Sequence, residues 1–583
     1  MNEIRPVLRR HVRILAFLLL LGLAVRLGMI WMNFGLLTCG LEVLQDDAFY
    51  NYPVARNIVQ GLGLVYEKGE PIYAYHPPSV LFLIPFIGLF PDSHEIPVQC
   101  LLTFYTLISL ATALFIYRTV RRVAGDDAAL LSAGFWILAY GVVIYSLCGT
   151  DAPFTVFFIA FAVDHYVRKI RVVEVPTIKS YAFLGALCGV CIMSRMDSLL
   201  LLPAFGLHIA WCNRHGLFWR GMRKIAVAGV AMALAVAIVT APFFLRHLIF
   251  YGSLQTHNAA SNRVLSVVMG HYMRTFLGPE SSSPVGLVKS MNKFPARRTP
   301  LQPTMTEMDD NIYPPFWGLY VLCAGKCLAV LPFKHGEIFW PLVLCLGLVL
   351  WKAVRQETGK RKQYIRQFDE ESGIQKLHVT LLFGAMLFSL YAFYQFSFWH
   401  LSRYMYPLAF IAILYLGPVV TWTIDRIVFP FFSRRSHVSM VVYVLLLLCA
   451  VSFAFQVNGL RKNLCEGGNG FIQASKWINE NTPEDAVVGF YQAGYFAYYI
   501  DREYHDLGGK ATASSWDAWL GRKGWDFILE KNVDYVVDEN FYLDFTFTWS
   551  KMYPLHDKLE LVNDEFGRRD KTKILIFKVK KDS

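Results

Sequence analysis

Charge is what this sequence has least of: only 17% of its 583 residues are Asp, Glu, Lys or Arg, against 55% hydrophobic residues, and the mean hydropathy is +0.38. So little charge excludes a single soluble domain and predicts a polytopic membrane protein. A cleavage site of small residues is also missing after the first apolar segment, about 12–32, which is therefore expected to stay as a spanning helix rather than leave as a signal peptide. Neither a tandem repeat nor a low-complexity tract is present, and the two halves show no internal similarity. Paired cysteines are scarce as well. Most of the 11 Cys lie inside apolar segments, among them Cys188, Cys191, Cys323 and Cys345, where a thiol behaves as a small hydrophobe. The lone C-x-x-C of Cys188 and Cys191 has no partner pair, which argues against a metal or redox role.

What is present is a series of apolar stretches, near 12–32, 77–91, 97–118, 127–148, 151–168, 180–194, 197–212, 224–246, 313–333, 336–353, 378–398, 404–422 and 438–457. The net charge of +12 resides in clusters beside them, at Arg5/Arg9/Arg10/Arg13, Arg118/Arg121/Arg122, Arg168/Lys169/Arg171, Arg214/Arg220/Arg223/Lys224, Lys352/Arg355 through Arg366, and Arg426/Arg434/Arg435. Cytoplasmic flanks explain this better than a nucleic-acid partner. The clusters fall on one side only if two stretches do not cross: 77–91, broken by Pro77, Pro78, Pro85 and Pro91, and 313–333, with Lys326 between Pro315 and Pro332. Both are read as juxtamembrane or re-entrant. The expectation is an α-helical integral membrane protein of about eleven transmembrane helices with its N-terminus inside. A membrane-embedded part, 1–457, carries a first outer loop at 33–96 and a large outer loop at 247–335. After the linker-like Cys465 to Gly470, strand-like and helix-like segments alternate, which predicts a small extracytoplasmic α/β domain within 458–583.

The stretch from Leu44 to Pro78, LQDDAFYNYPVARNIVQGLGLVYEKGEPIYAYHPP, follows the first span and is too polar to enter the bilayer. Adjacent Asp46 and Asp47 at the mouth of a membrane protein have the look of an active-site loop, although acids before a helix also serve as N-caps. Pro53 removes a hydrogen bond inside the following helix, so it kinks or restarts it. Asp151, in GTDAPF, is a third acid on the same face or a cap for the helix after it. Arg195 and Asp197 interrupt an apolar region, where each charge costs about 2.5–3.5 kcal/mol at mid-membrane. A break between two short spans, with an ion pair to other helices, accounts for them best. In FWHLSRYMYP, Arg403 at an outer helix boundary suits either a bidentate grip on a phosphate or a snorkelling anchor.

These motifs resemble those of the polytopic C-type glycosyltransferases that use polyprenyl-phosphate sugars, the GT-C fold, and most of all the branch with mycobacterial terminal arabinofuranosyltransferases and protein mannosyltransferase-like enzymes. Asp46, Asp47, Ala55, Arg56, Asn57, Gly61 and Gly63 fall where that class has an acidic pair, an Ala-Arg-Asn and a Gly-x-Gly turn. The segment WINENTPEDAVVGFYQAGYFAYYIDREYHDLGG is similar to part of the exported C-terminal domain of the same branch. Around Arg195 the class has Pro and Gly where this chain has Met196 and Ser198, and in FYGSLQTHNAAS only Tyr251, Gly252, Leu254 and Asn258 carry over.

The resemblance implies transfer of a sugar from a polyprenyl-phosphate donor to a glycan, lipid or protein acceptor on the outer face of the cytoplasmic membrane. Such a transfer needs a base for the acceptor hydroxyl and cationic help for the departing phosphate. Asp46 and Asp47 are the candidate catalytic residues. Arg56, His76, Tyr251, Asn258, His400, Arg403 and Tyr404 are candidates for binding substrate, with a structural role equally open to His76. Asp151, with Asp47, is the candidate ligand of a divalent cation, Mg²⁺, Mn²⁺ or Ca²⁺. A lipid-linked saccharide flippase is the rival reading, for which two-fold similarity between the halves is expected.

Overall fold

The computed structural model describes residues 4–31, 44, 46–72, 75–213, 218–251, 328, 335–392, 401–428, 435–464, 469–491, 493–549, 552, 557–566 and 573–581. All eleven apolar segments expected to span are helical within these residues. Among the described residues seven helices are long and apolar enough to cross on their own, at Arg10–Trp31, Glu95–Ala124, Met222–Phe250, Gly336–Val354, Ile374–Ala392, Tyr406–Val428 and Val438–Asn458. Pro77–Leu89 is a helix of 13 residues, too short to cross upright. Most of 313–333 lies outside the described residues.

The Tyr406–Val428 helix is the axis of the bundle and its apolar stretch is buried, with only the last turn exposed. Peripheral helices leave Ile238, Leu344, Leu447 and Phe455 exposed, as apolar side chains facing lipid should be. Between two of the helices the backbones come close. A side chain at Gly185 would collide with the Met232 backbone and one at Gly189 with Val239, so small residues set the contact between Ile178–Ser194 and Phe218–Tyr251. Cys188 and Cys191 are free and buried on the first of these helices.

Two breaks in the bundle shape the site. Asp126–Leu138 and Tyr140–Ser146 meet at 57° across Ala139, whose backbone is extended. Such a break is tolerated inside a membrane only if the freed amides find partners, and Glu337 Oε1 accepts from the Gly141 N–H at 3.2 Å. The second break is at Arg195, also extended, between Ile178–Ser194 and the short 3₁₀ turn Met196–Leu200.

Beyond the last span the chain forms a five-stranded sheet in the order β4-β3-β5-β7-β6, with β3 Val487–Phe490, β4 Glu503–Asp506, β5 Tyr535–Glu539, β6 Leu559–Asn563 and β7 Ile574–Val579. β3 is parallel to β4 and β5, and β7 runs antiparallel to both β5 and β6. β4 and β6 escape a pattern-based reading because they are short and rich in charge. Edge strand β4 is covered by a two-stranded hairpin of the first outer loop, β1 Val65–Glu67 and β2 Glu70–Pro71. Tyr504 Oη donates to the Tyr66 carbonyl at 2.8 Å. The loop and the sheet share one hydrophobic core, in which Phe49 packs on Tyr495 at 4.3 Å and Tyr52 on Tyr498 at 4.7 Å between ring centres.

Candidate active site

Local sequence explains how the acidic pair is presented. Asp46 and Asp47 open a single turn, Asp46–Phe49, and a second helix starts anew at Asn51–Val59. Pro53 lies in the first turn of that second helix, where its missing N–H has no acceptor to lose, so it restarts the helix without breaking it. The Asn57 amide then donates to the carbonyls of Val65 and Tyr66, both at 3.0 Å, and closes the turn in which Gly61 and Gly63 take positive φ.

The two carboxylates part company at once. Asp46 Oδ1 accepts from the Tyr495 N–H at 2.8 Å, at the start of the Ala493–Tyr499 helix of the C-terminal unit. Gly494 allows this approach, because any side chain there would collide with the Asp46 backbone. Burial pushes the Asp46 carboxyl up to about 6, against the pull of Lys510 and of the Tyr495 and Gly494 amides, with Asp47 adding to the rise. Asp47 instead forms an ion pair with the buried Arg403, just ahead of the central helix.

Arg403 belongs to a wider cluster. Its Nη2 also donates to Tyr404 Oη at 2.9 Å, and the Tyr404 ring lies flat on Tyr391 at 5.1 Å. The guanidiniums of Arg195 and Arg403 are 4.9 and 4.8 Å from the centre of the Tyr404 ring. Arg195 donates to Asp197 at 2.8 Å, to Tyr391 Oη at 3.0 Å and to Asp151 at 3.4 Å, while Tyr391 Oη bonds Asp197. One residue apart, Arg195 and Asp197 would face away from each other on a helix. The extended backbone of Arg195 is what lets them pair.

Asp151 reaches the cluster through the Gly149-Thr150-Asp151 turn. Gly149 has φ +76°, and a Cβ there would lie 3.0 Å from Ala48 Cβ, so the turn packs directly under the first outer loop. Asp151 ends as the N-cap residue of Ala152–Tyr166 by position but makes no side-chain capping bond, and its carboxylate faces Arg195 and, at 4.0 Å, His76 Nε2. The His76 backbone N–H is in turn held by Asn51 Oδ1 at 3.2 Å.

The structure thus gathers Asp47, His76, Asp151, Arg403 and Tyr404, and adds Arg195, Asp197 and Tyr391. Tyr391, on an apolar helix, carries no sequence signal. Arg56 is elsewhere: its guanidinium donates to the carbonyls of Ala497 at 2.8 Å and Tyr498 at 3.3 Å, fastening the loop to the C-terminal unit. Arg246 holds the β1–β2 hairpin through the Ile72 carbonyl at 3.0 Å. Arg26 is buried within the bundle against Ser146 and the Gly22 carbonyl. Asn258 and His400 lie outside the described residues, as does the side chain of Tyr251.

Asp47 and Asp151, expected as ligands of a divalent cation, are engaged here by guanidiniums. Among the described residues no group of three or more His, Cys, Asp or Glu is arranged to hold a metal ion. Among the described residues the carboxylates of Asp47 and Asp151 pair with Arg403 and Arg195.

Residues 75–243 match the family described as dolichyl-phosphate-mannose-protein mannosyltransferase, and residues 461–576 match a domain of unknown function, DUF8728. No curated protein matches the chain by sequence. Similar solved structures include the Archaeoglobus fulgidus oligosaccharyltransferase in complex with Zn and sulfate, 16% identical, covering 90% of this chain and 68% of that one at a TM-score of 0.52. The archaeal oligosaccharyltransferase AglB from the same organism, with an inhibitory peptide and a dolichol-phosphate, is 12% identical over 98% of this chain and 74% of that one, TM-score 0.52. ArnT from Cupriavidus metallidurans bound to undecaprenyl phosphate is 12% identical over 96% of this chain and 97% of that one, TM-score 0.53. The chain therefore has the GT-C membrane fold. It is a multi-pass membrane protein with an additional α/β unit.

Proposed function

We propose that the protein is a glycosyltransferase that moves a sugar from a polyprenyl phosphate to an acceptor hydroxyl on a glycan, lipid or protein at the outer face of the cytoplasmic membrane. The observation that carries this reading is the pairing of Asp47 with Arg403 at the entrance of a bundle whose fold is that of structures bound to dolichol-phosphate and undecaprenyl phosphate. Asp47 takes the proton of the acceptor hydroxyl while the acceptor oxygen bonds to the anomeric carbon. The bond from that carbon to the phosphate oxygen breaks, and the polyprenyl phosphate departs with the electron pair. Arg403, with its planar fork, suits the phosphate, and a phosphate entering there competes with Asp47 for the guanidinium and so releases the base. Arg195 adds a second positive charge on the same tyrosine ring.

One of the similar oligosaccharyltransferase structures contains Zn; in this chain Arg403 and Arg195 pair with Asp47 and Asp151, the carboxylates expected to hold a cation. We assign the charge stabilisation to the guanidiniums. Mass spectrometry of envelope glycans from cells with and without the protein tests the function: a glycan shortened by one sugar is expected in its absence, and an unchanged glycan profile contradicts the reading.

A further inference from the structure

At the end of the bundle away from the candidate active site, one carboxylate holds three arginines. Asp164 is fully buried and lies roughly 20 Å further along its helix than Asp151. Its Oδ1 accepts from Arg122 Nη1 at 3.0 Å and from Thr119 Oγ1 at 3.5 Å, and its Oδ2 is 3.2 Å from Arg118 Nη2 and 3.8 Å from Arg168 Nε. Arg118 and Arg122 occupy the last turns of the Glu95–Ala124 helix. Arg168 follows Asp164 where that helix widens into a π turn, Val167–Arg171.

One counter-ion balances a buried carboxylate, so a cluster of three guanidiniums keeps two surplus positive charges. Neighbouring acids do not cancel them: Asp126 pairs with Arg121, Asp369 with His378, Glu370 with Arg366 and Glu371 with Arg426. Nor are the three arginines enclosed. The side chains of Arg118, Arg122 and Arg168 are 42%, 38% and 33% exposed, so Asp164 fixes their inner ends while the rest of each fork faces the surroundings of the bundle.

The adjoining surface decides what those surroundings are. Leu107 and Leu114 lie on the same stripe of the Glu95–Ala124 helix as Arg118, and both are exposed. Phe183 is exposed beside them in an aromatic row, 5.7 Å from Phe161, which stacks on Phe115 at 4.8 Å. Apolar side chains on the outside of a membrane bundle face acyl chains, which places the guanidiniums at the end of the stripe at headgroup level.

We propose that Arg118, Arg122 and Arg168 bind the phosphate of an anionic phospholipid in the leaflet opposite the candidate active site, with Asp164 holding the three in place. The acyl chains lie along Leu107, Leu114 and Phe183. A zwitterionic lipid carries the same phosphate but also a cation, which the two surplus charges repel. The bound headgroup ties the end of the Glu95–Ala124 helix to that of Ala152–Tyr166, the helix that starts at Asp151. The proposal does not depend on the transferase reading.

Native mass spectrometry of the full-length protein in uncharged detergent, titrated with phosphatidylglycerol or phosphatidylcholine, tests this. A basic residue near the headgroups is worth about fivefold in affinity for an anionic lipid. Wild type is expected to bind phosphatidylglycerol at least about tenfold more tightly than phosphatidylcholine. Arg122→Gln and Arg168→Gln, each of which leaves two guanidiniums on Asp164, should each weaken phosphatidylglycerol binding about fivefold, and Arg122→Lys should restore most of it. Arg168 makes the longest contact with Asp164, so its variant disturbs the fold least and decides the matter if Arg122→Gln does not fold. Arg366→Gln, exposed on the neighbouring Thr358–Ser372 helix, should change nothing. Equal affinity of wild type for the two lipids, or undiminished phosphatidylglycerol binding by Arg168→Gln, would show that the arginines only neutralise Asp164 and would overturn the proposal. Displacement of phosphatidylglycerol by excess inorganic phosphate would overturn it too, as the mark of a site for a soluble anion.

Discussion

Asp46 and Asp47 are adjacent in the chain but hold different parts of the molecule: Asp46 accepts from the Tyr495 amide of the C-terminal unit at 2.8 Å, and Asp47 pairs with Arg403 ahead of the central helix. A single acidic dipeptide thus ties the two parts to each other, and we propose separable duties for the two acids.

For Asp46 the contact with the Tyr495 amide leads us to propose docking rather than catalysis. Asp46→Asn keeps an oxygen for the Tyr495 amide, so it should fold and transfer sugar at a rate close to wild type. Asp46→Ala removes the acceptor and should cost about 0.5–2 kcal/mol, the range for a lost helix cap. Gly494→Ala forces a methyl group into the Asp46 backbone and should do more damage. Limited proteolysis checks this, with earlier cleavage of the C-terminal unit expected in the order Asn, Ala at 46, Ala at 494. An Asp46→Asn variant as inactive as Asp47→Asn would show that the duties are not separate.

Arg403 makes contact through a planar fork that lysine lacks. Arg403→Ala should abolish donor binding and also destabilise, since it removes the buried guanidinium that pairs with the half-buried Asp47 carboxylate. Arg403→Lys should fold and recover part of the binding. Exhaustive chelation of divalent cations should leave transfer by the wild type in place, because guanidiniums already occupy the carboxylates. Donor binding measured by quenching of tryptophan fluorescence, with and without chelator, reads both.

Asp506 gives the C-terminal unit a pH dependence of known sign. Burial, reinforced by Glu67, pushes its carboxyl up to about 7 against the Ala511 and Gly508 amides and Lys510. A carboxyl whose folded value is raised from 3.8 holds its proton better when folded, so its contribution to stability is largest below pH 4 and fades as pH climbs to 7. Asp506→Asn cannot titrate. Its melting temperature should therefore fall furthest below wild type near pH 4 to 5, and the gap should narrow by pH 7. A gap that widens with pH contradicts this assignment.

Much of this was legible in the sequence, and the reasons for the rest are physical. Apolar length marked all seven helices that, among the described residues, are long enough to cross on their own, because backbone burial in lipid leaves few alternatives to a helix. The loop DDAFYNYPVARN announced itself by polarity between two apolar stretches. It did not disclose that Arg56 reaches toward the C-terminal unit, since that contact links residues 441 positions apart. Arg195 and Asp197 were readable as a helix break, but not their bridge to Asp151 and Tyr391, which depends on how three helices pack.

The charge pattern behind the expectation of about eleven spans also predicts an orientation. With the basic clusters on the inner side, Gln367, exposed on the Thr358–Ser372 helix, is expected inside the cell and the exposed Asp517 of the C-terminal unit outside. With accessible native cysteines replaced, an impermeant thiol reagent added to whole cells should label Asp517→Cys and spare Gln367→Cys. Labelling of both, or the reverse pattern, contradicts the topology.

The central claim is that Asp47 takes the acceptor's proton. Asparagine at 47 keeps the shape of the side chain and an oxygen for Arg403, but it does not accept a proton at neutral pH. Loss of a well-placed base removes on the order of 10²–10⁴-fold in rate. Turnover of a radiolabelled polyprenyl-phosphate sugar by purified Asp47→Asn, alongside its donor affinity, is therefore the most direct measurement. The account predicts a folded protein that binds the donor and transfers at most about a hundredth as fast as wild type; turnover within a few-fold of wild type would contradict it.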